Sequence, residues 1–323
     1  MSAPDKVQER EEEPSAAPVP CTILMNSRAG ALHATAGPDQ IREMAAAIGL
    51  PAEVIGTESP DEMRDTIRRL VREGAQRVAV AGGDGTIALA VQEIAHSNTV
   101  LGIIPQGTAN NFASALRLPQ DLPSALRVLL DGVVREVDLG RAAAIQEWRR
   151  DGDEGGRSQR LFTEAAGVGM FADILALYGA GTNKNFFRAL YAMARVILSL
   201  RPRRLRLIVD GETHSERATL CIVANTYRMA YAIPVAPGAK ITDGELDVVI
   251  VGDLKLSELL PYYRAFRAQV HATLPKVSML RAREVRIETH HRMNVHCDDR
   301  VIGTTPATIT AQPRALKVLV DRL

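Results

Sequence analysis

Cysteine is scarce in this chain: Cys21, Cys221 and Cys297 are the three in 323 residues. Their odd number and wide spacing exclude a disulfide framework and suit a reducing compartment. An excess of charge is also missing. Lys and Arg total 39 against 38 Asp and Glu, a net charge of +1, which argues neither for nor against a polyanionic partner. Only local basic clusters stand out, at Arg201 to Arg206 and at Arg281 to Arg286. Residues 1–20 lack an apolar signal core: Gln8-Glu9-Arg10-Glu11-Glu12-Glu13 leads into a Pro/Ala/Ser stretch, which reads as a disordered tail and not a targeting segment. No apolar run is long enough to span a bilayer. The most apolar helical stretch, Phe186 to Leu200, contains Arg188 and Arg195 and is too short. A soluble chain is expected, with this helix lining a core. The neighbouring Arg201, Arg203, Arg204 and Arg206 leave a membrane-docking role open.

Zinc-type ligand spacing is absent as well. His290, His291, His296, Cys297, Asp298 and Asp299 are close in sequence, but strand alternation over Met293 to Cys297 sends neighbouring side chains to opposite faces.

What the chain does have is enough length for two cores and a clear change of pattern near Arg141. Before it, strands (Thr22 to Met25, Arg77 to Ala81, Val100 to Ile104, Val133 to Leu139) alternate with helices (Pro38 to Ile48, Asp61 to Glu73, Ile87 to His96, Leu122 to Leu130). Ser59-Pro60-Asp61-Glu62 is a helix start with proline and acids in the first turn. Such alternation predicts a doubly wound, mostly parallel α/β sheet covered on both faces. The polar, glycine-containing stretch Glu147 to Gln159 reads as a hairpin tip or loop.

After that loop strands dominate, at Leu161 to Ala165, Leu205 to Val209, Ala218 to Ala224, Leu246 to Val251, Val285 to Glu288, Met293 to Cys297, Ala307 to Ala311 and Leu316 to Val320. Helices are expected at Phe186 to Ser199 and Leu256 to Ala268. The expected organisation is a tail (1–20), a nucleotide-binding α/β domain (21–140) and a β-rich, sandwich-like domain (141–312). Residues from about 313 to 323 would pack back on the first domain, and a cleft would lie between the two.

Two strand–glycine–helix units carry the chemistry. Val78-Ala79-Val80-Ala81 runs into Gly82-Gly83-Asp84-Gly85-Thr86, and Val100 to Ile104 runs into Pro105-Gln106-Gly107-Thr108-Ala109-Asn110-Asn111-Phe112. Glycines at strand ends let backbone N–H groups approach a polyanion, and a following helix points its positive end at phosphates. Neither unit is a P-loop, because no Gly-Lys-Ser/Thr follows, nor a dinucleotide-type glycine fingerprint.

Gly82 to Thr86 together with Pro105-x-Gly107-Thr108-Ala109-Asn110-x-Phe112-Ala113 resembles the diacylglycerol kinase catalytic-domain family, which includes bacterial lipid kinases and is related to sphingosine kinases. Weaker marks are Val137-Asp138-Leu139-Gly140, Ala166-Gly167-Val168-Gly169 and Ala236 to Asp247, so the likeness covers roughly residues 21–320. It implies an ATP- and Mg2+-dependent lipid kinase acting on a hydroxyl of a lipid such as diacylglycerol. The implied setting is cytoplasmic, with transient contact at the inner membrane surface and no nucleic-acid partner. Oligomeric state and the particular lipid are left open. Carried over by position, ATP contacts would come from Asn26, Thr57, Gly82, Gly83, Asp84, Gly85, Thr86, Gly107, Thr108 and Asn110. Asn26 and Thr57 close strand-like segments at the edge where open α/β sheets bind ligands, although Thr57 reads equally well as a helix N-cap.

Asp84 and Asp138 would join the Mg2+ and water network near the phosphates. Asp243, through its carboxylate, and Lys240 and Glu245, through their carbonyls, would hold a second, structural Mg2+. The family's general base is the glutamate of an Asp-Gly-Glu segment, and this chain has Asp298-Asp299-Arg300 there. Arginine cannot accept a proton. Asp298 is then the first candidate for the base and Asp299 the second. Asn111 stands where the family commonly has an acid, which removes a negative charge near the nucleotide, and Thr226 to Tyr231 replaces a glycine-rich stretch. Two other readings remain: a weak or inactive nucleotide- or lipid-binding relative, and a kinase of a soluble substrate such as NAD. Against the second, no Asn-Glu pair for a substrate ribose is present.

Overall fold

The computed structural model describes residues 19–26, 36–146, 157–179, 186–230 and 232–322. The expected tail and most of the Glu147 to Gln159 loop lie outside these residues. The first half runs β1 (Cys21–Asn26), α1 (Pro38–Ala47), β2 (Ala52–Thr57), α2 (Pro60–Arg72), β3 (Arg77–Gly82), α3 (Asp84–Ile94), β4 (Val100–Pro105), α4 (Asn111–Ala115), α5 (Leu122–Asp131) and β5 (Val133–Ile145). The second continues with β6 (Arg157–Phe162), β7 (Ala165–Gly169), α6 (Met170–Tyr178), α7 (Phe186–Leu198), β8 (Arg203–Val209), β9 (Glu212–Ala224), β10 (Arg228–Met229), β11 (Ile233–Pro234), β12 (Leu246–Gly252), α8 (Leu259–Arg267), β13 (Val277–Ala282), β14 (Glu284–Thr289), β15 (Asn294–Cys297) and β16 (Arg300–Val320).

The parallel order β4-β3-β1-β2 follows from strands buried on both faces: Ile23, Leu24, Val78, Ala79, Val80, Leu101, Ile103 and Ile104 are all at most 1% exposed. α2 begins where the sequence signals it. Ser59 Oγ accepts the Glu62 N–H at 3.1 Å, with Pro60 and two acids in the first turn and Arg69 and Arg72 in the last. Such a cap stabilises a helix by about 1 kcal/mol. Ser59, and not Thr57, is therefore the cap.

A second core lies in the β-rich half, around Phe162, Leu205, Leu207, Cys221, Val223, Val248, Val285, Ile287, Val295 and Ile309. The two expected strands near the C-terminus are one strand. β16 pairs antiparallel with β5 through shifts of register, and its end, at Val318, pairs parallel with Leu101 of β4. Ala315, Leu316 and Val318 to Val320 thus join the first core.

The expected strand Leu161 to Ala165 is broken between Phe162 and Ala165. The N–H groups of Thr163, Glu164 and Ala165 all donate to the Asp298 carboxylate, so Thr163 and Glu164 leave the ladder and Ala165 starts β7. α7 buries Ala192 and Val196, while Leu190, Tyr191, Met193 and Leu198 are 44–77% exposed. The core-lining expectation for this helix holds only along that narrow stripe. No helix among the described residues is long and apolar enough to cross a membrane.

A candidate phosphate site between two glycine turns

Parallel register brings the ends of β1 to β4 level. Asn26 is opposite Thr57, Met25 opposite Ala81, and Gly82 opposite Pro105. All predicted nucleotide contacts of the first half therefore gather at one sheet edge. Thr57 is fully buried there, and its Oγ1 donates to the Met25 carbonyl at 3.1 Å, tying β2 to β1.

Gly83 is the N-cap of α3 and gives the helix no side-chain cap, and its first turn is half-buried with Gly85 exposed. The two turns touch backbone to backbone. A Cβ on Gly83 would stand 2.9 Å from the Gly107 Cα, and one on Gly107 only 2.5 Å from the Gly83 Cα. Asn110 adopts a left-handed backbone (φ 47°), and its Oδ1 accepts the Gly107 N–H at 2.8 Å, closing the second turn beside exposed Thr108. Asp84 Oδ1 accepts the Phe112 N–H at 3.3 Å, so this acid joins the turns as well.

The second half meets this edge through three carboxyls. Glu164, 7% exposed, accepts through Oε2 from Asn111 Nδ2 and from the Ala230 N–H, both at 3.0 Å. Asn111 also donates to the Ala230 carbonyl. These bonds hold Ala230 at φ 51°, a left-handed conformation that suits glycine better, within the stretch that replaces the family's glycines. Glu164 also returns an acid to the place where Asn111 lacks one. Sequence reasoning missed it, because the partners are 53 residues apart and no local pattern links them. Burial, followed by the nearby Asp298 and Asp84, raises the Glu164 carboxyl well above the usual range. Burial raises Asp84 too, against the lowering effect of the N–H groups of residues 110–112.

The hairpin joining β15 to β16 separates the two candidate bases. Asp298 (φ 49°) turns its carboxylate inward. Oδ1 accepts from the N–H groups of Glu164 (2.9 Å) and Ala165 (3.3 Å), and Oδ2 from the Thr163 N–H (3.1 Å) and Oγ1 (3.4 Å). Burial pushes its pKa up to about 6 despite those donors. Asp299 points the other way. Its side chain is 60% exposed, and Oδ2 lies 4.0 Å from where a Cβ on Gly85 would stand.

Whether these residues suit Mg2+ differs between the two implied positions. Mg2+ keeps several waters and takes one or two carboxylates plus phosphate oxygens. Asp84 fits that role at the helix terminus, and Asn111 Oδ1 is buried nearby without a hydrogen-bond partner. Asp138 is engaged by backbone donors. Its oxygens accept the Gly244 and Arg314 N–H groups, both at 2.7 Å, which ties the two halves together.

Lys240, Asp243 and Glu245 share one loop, but the loop closes on an arginine. Arg281 pairs with Asp243 Oδ2 and lies 3.3 Å from Glu245 and 3.9 Å from Asp247, while Asp243 Oδ1 accepts the Glu245 N–H at 3.2 Å. Both carboxylate oxygens of Asp243 are engaged and a guanidinium supplies the positive charge, so this loop does not fit a structural metal ion. Arg281→Gln should lower the thermal midpoint and make it rise with added Mg2+, whereas the native chain should melt at the same temperature in millimolar Mg2+ and in EDTA. A midpoint in the native chain that drops in EDTA would contradict this.

The structure thus sets an α/β half with two glycine turns at its sheet edge against a β-rich half that brings carboxyls to that edge. Residues 20–142 match the diacylglycerol kinase catalytic domain, and residues 179–320 the YegS C-terminal NAD kinase beta sandwich-like domain. A diacylglycerol kinase of Mycobacterium tuberculosis is 32% identical over 275 residues, covering 84% of each chain. One from Staphylococcus carnosus is 26% identical over 280 residues, 85% of this chain and 86% of that one. The crystal structure of a diacylglycerol kinase from Bacillus anthracis superimposes with a TM-score of 0.69 at 18% identity, covering 95% of this chain and 98% of that one. The chain belongs to the diacylglycerol kinase family.

Proposed function

We propose that this chain is a lipid kinase that transfers the γ-phosphoryl group of ATP to a hydroxyl of a lipid such as diacylglycerol. The observation that carries the reading is the uncapped start of α3, held between two interlocked glycine turns and faced by carboxyls from the second half. ATP phosphates would rest on the N–H groups of Gly83 to Gly85, ahead of Thr86, whose N–H already donates to the Gly83 carbonyl at 2.9 Å, and a Mg2+ held at Asp84 would neutralise charge on the phosphates. Phosphoryl transfer asks mainly for positioning and charge neutralisation, which this arrangement supplies. Asp299 would take the proton from the lipid hydroxyl. Its exposure and its place over Gly85 support that role, and the four donors on Asp298 argue for a positioning role there.

The lipid would arrive from an anionic bilayer along α7. Leu190, Tyr191, Met193 and Leu198 are exposed there, and Arg188 and Arg195 flank them for headgroup phosphates.

Labelled ATP, Mg2+ and a panel of lipids in mixed micelles test the function. A labelled lipid phosphate is expected with the native chain and none with Asp84→Asn. Nucleotide binding with no lipid labelled would favour the reading as a binding relative.

A further inference from the structure

The position that the resemblance assigns to a proton-accepting glutamate holds Arg300, and the surroundings give this arginine a task of its own. Neither glycine turn carries a basic side chain: residues 82–86 and 105–113 contain no lysine or arginine. A triphosphate placed there brings several negative charges, and the α3 terminus offsets only about half a charge.

Arg300 opens β16 directly after the hairpin turn, opposite Cys297. Because Asp298 is drawn inward by its four donors, Asp299 and Arg300 are left to project outward, with side chains 60% and 45% exposed. Asp299 Oδ2 lies 4.0 Å from the Cβ position of Gly85, and Arg300 Nε lies 3.7 Å from Asp299 Oδ1. The guanidinium is thus one carboxylate away from the first turn of α3. At 3.7 Å, and exposed, that pairing is too long for a hydrogen bond and contributes little, so the five N–H donors of Arg300 are available to an arriving ligand.

We propose that Arg300 binds the γ-phosphate of the nucleotide, supplying at the Asp298–Asp299–Arg300 hairpin the fixed positive charge that the glycine turns lack. Guanidinium is always charged and matches phosphate oxygens two at a time, so it holds the transferring group in line with the acceptor. The proton-accepting role then passes one residue back, to Asp299. On this view Arg300 is a gain of a phosphate ligand and not merely the loss of a base.

The inference rests on the kinase reading above, and calorimetric titration of the full chain with ATP and with ADP, both with Mg2+, separates the two. Arg300→Gln should weaken ATP binding by about tenfold to a hundredfold, as expected for a charge-assisted phosphate contact, and ADP binding by less than about threefold. Arg300→Lys should recover part of the ATP affinity, and Arg300→Glu should weaken ATP further than Arg300→Gln. Equal effects on ATP and ADP, no effect on either, or tighter ATP binding in Arg300→Glu would overturn the assignment while the kinase reading stands. A native chain that binds neither nucleotide would overturn both.

Discussion

Gly107→Ala is expected to weaken ATP binding and phosphoryl transfer by two orders of magnitude or more. The added Cβ would stand 2.5 Å from the Gly83 Cα and 2.7 Å from Asn110 Oδ1. The first obstacle is backbone at the N-cap of α3, fixed between β3 and a helix whose Ile87, Ala90, Val91 and Ile94 are buried, so it cannot swing aside as a side-chain tip could. The second is the acceptor that closes the turn onto the Gly107 N–H. The two turns must therefore separate, and the N–H groups at the start of α3 shift with them. Displacement of about 1 Å at such a site costs about a hundredfold in rate. Gly83→Ala, whose Cβ meets the Gly107 Cα at 2.9 Å, should behave alike. Titration calorimetry with ATP measures the effect, and an affinity within about threefold of the native value in both variants would show that the turns need not touch.

This contact also shows where the sequence is readable. Glycine runs at strand ends announce the phosphate edge because the cause is local: strand, turn and helix are adjacent in the chain. The α/β half follows from the alternation of strands and helices, and the capped start of α2 from Ser59-Pro60-Asp61-Glu62, in the same local way. What was not legible depends on partners brought together by the fold. The Arg281–Asp243 pair spans 38 residues and the Asn111–Glu164 bond 53. The break between β6 and β7 is caused by Asp298, more than 130 residues further on. Strand propensity at Leu161 to Ala165 is overridden there by a carboxylate that takes three successive N–H groups. The same event decides which aspartate faces the first glycine turn, so a rank order of Asp298 before Asp299 could not be checked from spacing alone.

Asp298→Ala is accordingly expected to act mainly on stability, and Asp299→Asn on turnover. Removing the Asp298 carboxylate leaves the N–H groups of Thr163, Glu164 and Ala165 without their acceptor in a buried turn. At about 1–3 kcal/mol for each of the three unsatisfied groups, the loss amounts to roughly 3–9 kcal/mol. That is a large share of a domain's typical stability of about 5–15 kcal/mol, and should lower the thermal midpoint by roughly 10 °C. Asp298→Asn keeps one acceptor oxygen and should fall between this variant and the native chain. Asp299, with its side chain 60% exposed and no such donors, should tolerate asparagine with the midpoint unchanged. Its loss as a proton acceptor should lower kcat by about 10²–10⁴-fold with the KM for ATP little altered. Differential scanning fluorimetry beside steady-state kinetics reads both effects on the same preparations. Should Asp298→Asn abolish kcat at an unchanged midpoint while Asp299→Asn turns over normally, the inward-facing carboxylate would be the base, and the hairpin would have to open on lipid binding to release it from Thr163, Glu164 and Ala165.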